Sequence, residues 1–174
     1  GDIAVQADGK LVAVGSSADN SATFLITRYL ANGLLDSTFG DDGKVTTTVG
    51  TDNASAAAVS IQADGKIIVS GSAGNGINTD VLLVRYATDG SLDLSFDGDG
   101  IVLTDLGFRE FGSGLVIQSD GRIVVVGGID DGNFLVLRYE ATGVLDVSFD
   151  NDGIATVSFY DGPISGGADD VVLQ

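Results

Sequence analysis

The stretch QADGKLVAVGS at residues 6–16 returns as QADGKIIVSGS at 62–72 and again as QSDGRIVVVGG at 118–128. Each copy begins 56 residues after the last, and Gln174 continues the series. A fixed period of this length marks repeated supersecondary units. Within each copy an Asp-Gly pair separates two short apolar runs. Asp8-Gly9, Asp64-Gly65 and Asp120-Gly121 are read as the positive-φ residues of a tight β-hairpin turn. The arm that follows, LVAVGS, IIVSGS or IVVVGG, is apolar and rich in β-branched residues without a helical period, so it reads as a strand.

Working outward, a third strand reads FLITRY, VLLVRY and FLVLRY and ends at Tyr29, Tyr86 and Tyr139. A turn follows at Asn32-Gly33, Asp89-Gly90 and Thr142-Gly143, then LLDSTFGDDG, SLDLSFDGDG or VLDVSFDNDG, then a fourth strand KVTTTV, IVLTDL or IATVSF. Four strands joined by short Gly-rich turns make an antiparallel sheet. The second and third strands are apolar at nearly every position, which requires both sheet faces to be buried. A radial stack of sheets provides that environment. The fold class is therefore all-β, with β-propeller-type four-stranded antiparallel blades in three repeats of 56 residues, a partial propeller. The units are 1–56, 57–112 and 113–168, with 169–174 as the first strand of a further one, together forming one propeller-type segment.

The recurring pattern Q-x-D-G-K/R, V-x-G-S/G, R-Y and L-D-x-S/T-F-x-x-D-G resembles the bacterial delta-60 repeat family along essentially the whole chain. That resemblance implies a propeller and a place in large secreted or cell-surface proteins. It implies no activity for any particular residue. Propellers close with about 4 to 8 blades, so three repeats leave two apolar faces seeking cover. The expected partners are further blades, from the same longer chain or from another copy.

Composition narrows the chemistry. The sequence has no His, Cys, Met or Trp. This excludes imidazole bases, Ser-His-Asp and Cys-His nucleophiles, thiol redox chemistry, disulfides, and zinc sites built on thiolate or imidazole. Only carboxylates, hydroxyls or a hard metal remain for catalysis. Eight Lys and Arg against 25 Asp and Glu give a net charge of −17, which opposes binding to nucleic acid or to anionic membrane. No apolar run approaches the ~20 residues of a membrane-spanning helix, so membrane insertion is not expected.

Residues recurring in every unit read as scaffold. Arg28, Arg85 and Arg138 are expected to brace the LD turns through Asp36, Asp93 and Asp146 with bidentate pairing, and the Tyr and Phe series to pack between blades. Two acidic loops are candidate calcium sites, with Asp97 and Asp99 in one and Asp150 and Asp152 in the other. Alternate carboxylates around Gly or Asn resemble the opening of a calcium loop, though no terminal bidentate Glu follows. Non-repeated residues concentrate between a fourth strand and the next first strand. There Phe108, Arg109, Glu110 and Phe111 form a candidate contact loop, since aromatic and Arg side chains are enriched at binding hot spots.

The functional expectation is a non-enzymatic interaction or spacer module of a secreted or cell-surface bacterial protein, with loops open to a protein or glycan ligand. The alternative is a carbohydrate-active enzyme with carboxylates at the propeller mouth. Glu110 and Glu140, the only two glutamates, fall in different units with nothing to bring them together.

Overall fold

The computed structural model describes residues 1–16, 22–130, 132–158 and 168–172. Tyr160 and Pro163 of the last variable loop, and Gln174, lie outside them. The first sheet contains β1 (Asp2–Val5), β2 (Leu11–Ser16), β3 (Thr23–Tyr29) and β4 (Lys44–Thr48). The second contains β5 (Asp52–Ile61), β6 (Ile67–Gly74), β7 (Thr79–Tyr86) and β8 (Ile101–Thr104). The third contains β9 (Glu110–Ile117), β10 (Ile123–Ile129), β11 (Asn133–Tyr139) and β12 (Ile154–Val157). In every sheet the strands lie side by side in chain order and pair antiparallel. These are three propeller-type blades. Among the described residues there is no helix, and hence none long and apolar enough to cross a membrane.

The repeat boundaries at 57 and 113 fall inside β5 and β9. A period fixes the length of a unit but not its phase, and these first strands begin earlier than the Gln-ended runs suggest.

The hairpin turns are wider than the Asp-Gly pair implies. Gln6 N donates to Lys10 O, Gly9 N donates to Gln6 O, and only Gly9 has positive φ. Gln62–Lys66 and Gln118–Arg122 repeat the arrangement with Gly65 and Gly121. This is a three-residue loop with glycine in the left-handed position. The aspartate contributes its side chain instead: Asp8, Asp64 and Asp120 each accept from the backbone N–H two residues on.

The core lies between blades. One cluster joins Val12, Phe24, Ile26 and Phe39 of the first blade to Ile67, Leu82, Val84 and Tyr86 of the second. The other joins Ile68, Val81, Leu83 and Phe96 of the second blade to Ile123, Leu135, Leu137 and Tyr139 of the third. Side chains alternate along β7, so Leu82 and Leu83 enter different seams. Each such fully buried side chain stabilises the stack by about 1.5–3 kcal/mol. The first strands adjoin one another, as expected of innermost strands, and Val59 N donates across the seam to Asp2 Oδ2 at 3.0 Å.

Residues 168–172 run beside β9 and β10 of the third blade. Ala168 N donates to Gly127 O, and Asp170 and Val171 pass so close to Gly114 that a Cβ there would meet their backbone.

Candidate functional site

The repeated polar residues converge on the LD turns. Arg28 Nε donates to Asp36 Oδ2 at 2.8 Å, and Arg85 to Asp93 and Arg138 to Asp146 at 2.7 Å. The pairing is as expected, but it uses one prong of the guanidinium and is not bidentate. The other prongs have separate work. Nη2 donates to the hydroxyl of Thr38, Ser95 or Ser148. Nη1 crosses the seam: Arg28 reaches Thr88 O at 2.5 Å and Arg85 reaches Ala141 O at 2.6 Å. Each guanidinium also covers a ring, with Phe39 and Phe96 at 4.5 Å and Phe149 at 4.8 Å.

A second cation, not foreseen from the repeat, meets the same carboxylates. Lys10 lies 3.2 Å from Asp36 Oδ2, Lys66 2.9 Å from Asp93 Oδ2, and Arg122 3.0 Å from Asp146 Oδ2. All three carboxyls are held below the usual range. For Asp36 and Asp146 the leading cause is the hydrogen bond from Thr38 or Ser148, which brings Asp146 to about 2. For Asp93 burial pushes upward and is outweighed by Ser95, Lys66 and Arg85.

Further bonds complete the seam. The Tyr86 hydroxyl pairs with Thr47 Oγ1 of the preceding blade, and the Tyr139 hydroxyl with Thr104 Oγ1 at 2.7 Å. Burial raises both phenols well above their ordinary pKa. Gly40 N donates to Asp89 O and Asp97 N to Thr142 O. Gly90 and Gly143 sit with positive φ against Phe39 and Phe96, leaving no room for a Cβ without displacement.

The candidate calcium loops are exposed. Asp97 and Asp150 carry the positive φ of the turn, and the side chains of Asp99 and Asp152 accept from Ile101 N and Ile154 N. Asp97 therefore supports the seam through its backbone. Neither pair joins a third carboxylate within ligand distance among the described residues.

The candidate contact loop divides. Phe108 is 54% exposed and Arg109 is exposed, with Arg109 N bonded to Asp130 Oδ1 and Asp130 N to Arg109 O. The Phe111 ring lies over Gly128 of its own blade. Glu110 turns inward, 0% exposed, and one of its carboxylate oxygens comes within 4.8 Å of one from Asp80 and one from Asp105. Asp80 belongs to β7 and is buried, while Asp105 follows β8 and is exposed. Burial raises the Glu110 and Asp80 pKa values, and their acidic neighbours add to the rise. Asp80 and Asp105 escaped the motif reading because they fall in repeated strands. Their departure from Thr23 and Thr48 at the same places in the first blade was the available signal. Glu140 pairs with Arg122 instead.

The grooves at the blade rims, lined by Gln6, Lys10 and Gln62 or by Gly40, Asp89 and Ser91, are open to solvent. A beta-propeller family described as a domain of unknown function (DUF5122) matches residues 6–39, 62–96 and 118–149, more than half of the chain. No curated protein matches it.

Proposed function

Since the chain belongs to the DUF5122 beta-propeller family, we propose that it is a non-enzymatic interaction or spacer module of a secreted or cell-surface bacterial protein. The finer assignment to the delta-60 repeat rests on the recurring Gln, Asp-Gly, Arg-Tyr and Leu-Asp positions. Export is favoured by the acidic, cysteine-free composition together with that resemblance. The module works by stacking on further blades, supplied by its own longer chain or by another copy.

One observation carries this reading: both ends present the parts of a seam. On the third blade the Arg138 side chain is 23% exposed against 6% for Arg85, Phe149 is half-buried, and no carbonyl among the described residues meets Arg138 Nη1. On the first blade Tyr29 is half-buried where Tyr86 and Tyr139 are enclosed, and Ile3, Val5 and Leu25 are exposed. Apolar area of this kind gains about 25 cal/mol per Å² when covered, before the entropy of association is subtracted. Sedimentation velocity over a range of concentrations tests the reading. Reversible self-association of the 174-residue chain is expected. A stable, cooperatively melting monomer at high concentration overturns the stacking role.

A further inference from the structure

Asp80, Asp105 and Glu110 form a cluster that the blade scaffold does not need. Asp80 is the second residue of β7, Asp105 follows the last residue of β8, and Glu110 opens β9. The cluster thus straddles the seam between the second and third blades. In the first blade Thr23 and Thr48 pair at the register occupied by Asp80 and Asp105. The third blade has Asn133 where β7 has Asp80. The place of Glu110 is taken in β5 by Ala54, judged from the pairings Phe111 with Gly128 and Ser55 with Ser72. At the seam of the first and second blades Thr23, Thr48 and Ala54 therefore serve the fold where this seam has three carboxylates.

Their surroundings do not neutralise them. Asn75 Nδ2 donates to both oxygens of Asp80, at 3.0 and 3.2 Å, and Phe108 N donates to Glu110 Oε1 at 2.9 Å. The second oxygen of Glu110 is enclosed and accepts no hydrogen bond from the described residues. Among the described residues no Lys or Arg forms an ion pair with any of the three. A buried carboxylate with one oxygen lacking a donor, close to two more carboxylates, is a costly arrangement unless a proton or a cation joins them, and a cation satisfies all three at once. One side remains open through the exposed Asp105, which gives an ion an entry path and leaves room for water ligands.

We propose that Asp80, Asp105 and Glu110 bind one oxygen-preferring divalent cation, calcium ahead of magnesium, across the seam of the second and third blades. Among the described residues this is the one trio of carboxylates whose oxygens all lie within 4.8 Å of one another. An ion with ligands at about 2.4 Å reaches oxygens up to about 4.8 Å apart, whereas magnesium at about 2.1 Å draws opposite ligands nearer and demands a regular octahedron. Hard carboxylate donors without imidazole or thiolate disfavour softer metals. Bound there, the ion ties the segment from Asp105 to Glu110 to the body of β7 and so fixes the base on which Phe108 and Arg109 are presented. The site does not depend on the scaffold reading, since a blade segment that fails to self-associate retains it.

The test is calorimetric titration of the chelator-treated full chain with calcium chloride, then with magnesium chloride, beside thermal melts in the same solutions. One calcium per chain is expected, with a Kd of about 10⁻⁴ to 10⁻³ M, weaker magnesium binding, and a higher melting temperature in millimolar calcium. Asp105→Asn, a change at an exposed side chain, weakens calcium at least about tenfold, and Glu110→Gln abolishes the melting shift. Four results overturn the proposal: no heat and no melting shift in millimolar calcium; calcium binding unchanged in Asp105→Asn; loss of binding in Asp97→Asn/Asp99→Asn while Asp105→Asn binds normally; or a Glu110→Gln protein that melts higher than the native chain although calcium stabilises neither. If Glu110→Gln does not fold, Asp105→Asn decides alone.

Discussion

The second blade and its neighbours follow one sequence pattern in different surroundings. Strand β7 is buried at every position after Thr79, whereas β3 and β11 alternate buried with half-buried or exposed residues. Leu82 and Leu25 occupy the same place in the pattern, yet Leu82 is fully buried and Leu25 is 39% exposed. The same residues therefore carry different energies according to whether another blade covers them. A near-continuous apolar strand is a requirement set by the neighbours, and only the middle blade has both.

The largest expected contrast is in packing. In protein dilute enough to leave the end faces uncovered, Leu82→Ala costs about 2–5 kcal/mol in urea denaturation, while Leu25→Ala costs less than about 1 kcal/mol. A Leu25→Ala cost that rises with protein concentration while that of Leu82→Ala stays constant is expected if another copy covers Leu25, and equal costs at every concentration would break the comparison. Next comes the guanidinium that crosses the seam. Arg85→Ala loses the charged hydrogen bond to Ala141 O and Arg138→Ala loses no counterpart, so the first variant is less stable than the second by about 1.5–3 kcal/mol. Equal losses would assign the stabilisation to the LD turn alone. Smaller again are the phenols: Tyr86→Phe and Tyr139→Phe each cost about 0.5–1.5 kcal/mol, and Tyr29→Phe, whose hydroxyl has no counterpart bond among the described residues, costs close to nothing.

Acid should separate the blades least, because all three LD carboxyls shift the same way. Their folded pKa values lie below the unfolded value near 4, so the unfolded chain binds more protons in that range. The stability they contribute is fully present above about pH 4 and is lost as pH falls toward their folded values. Denaturation midpoints measured from pH 7 downward should show no loss from these groups until about pH 4 and a steep loss below it. A loss already complete at pH 5 would mean that these pairings do not govern acid unfolding.

Much of this was legible in the repeat. The period, the Asp-Gly and Asn-Gly turns and the apolar second and third strands define four-stranded blades, and the Arg to LD-turn pairing follows from three matched positions. What could not be read was anything decided by the adjoining blade. The Nη1 bond of Arg85 depends on where the Ala141 carbonyl stops, and its single-pronged pairing on Lys66 sharing the Asp93 oxygen. The hairpins differed because a glycine after Asp serves a wider loop as well as a two-residue turn. The carboxylate trio required knowing that the end of β8, the start of β7 and the start of β9 meet. Of the three only Glu110 stands out in the sequence, and for an outward role that its burial denies to its side chain.

The crossing guanidinium also has a direction. Arg28 reaches forward in the chain to Thr88 and Arg85 forward to Ala141, so each seam has a donor side and an acceptor side that differ. Two copies related by a two-fold axis would set donor against donor, and such an isologous contact cannot use this bond. Association through it must be heterologous. Each added blade offers the same donor again, so growth has a built-in polarity, and the angle between blades rather than the chemistry of the seam decides between a closed ring and an open fibre.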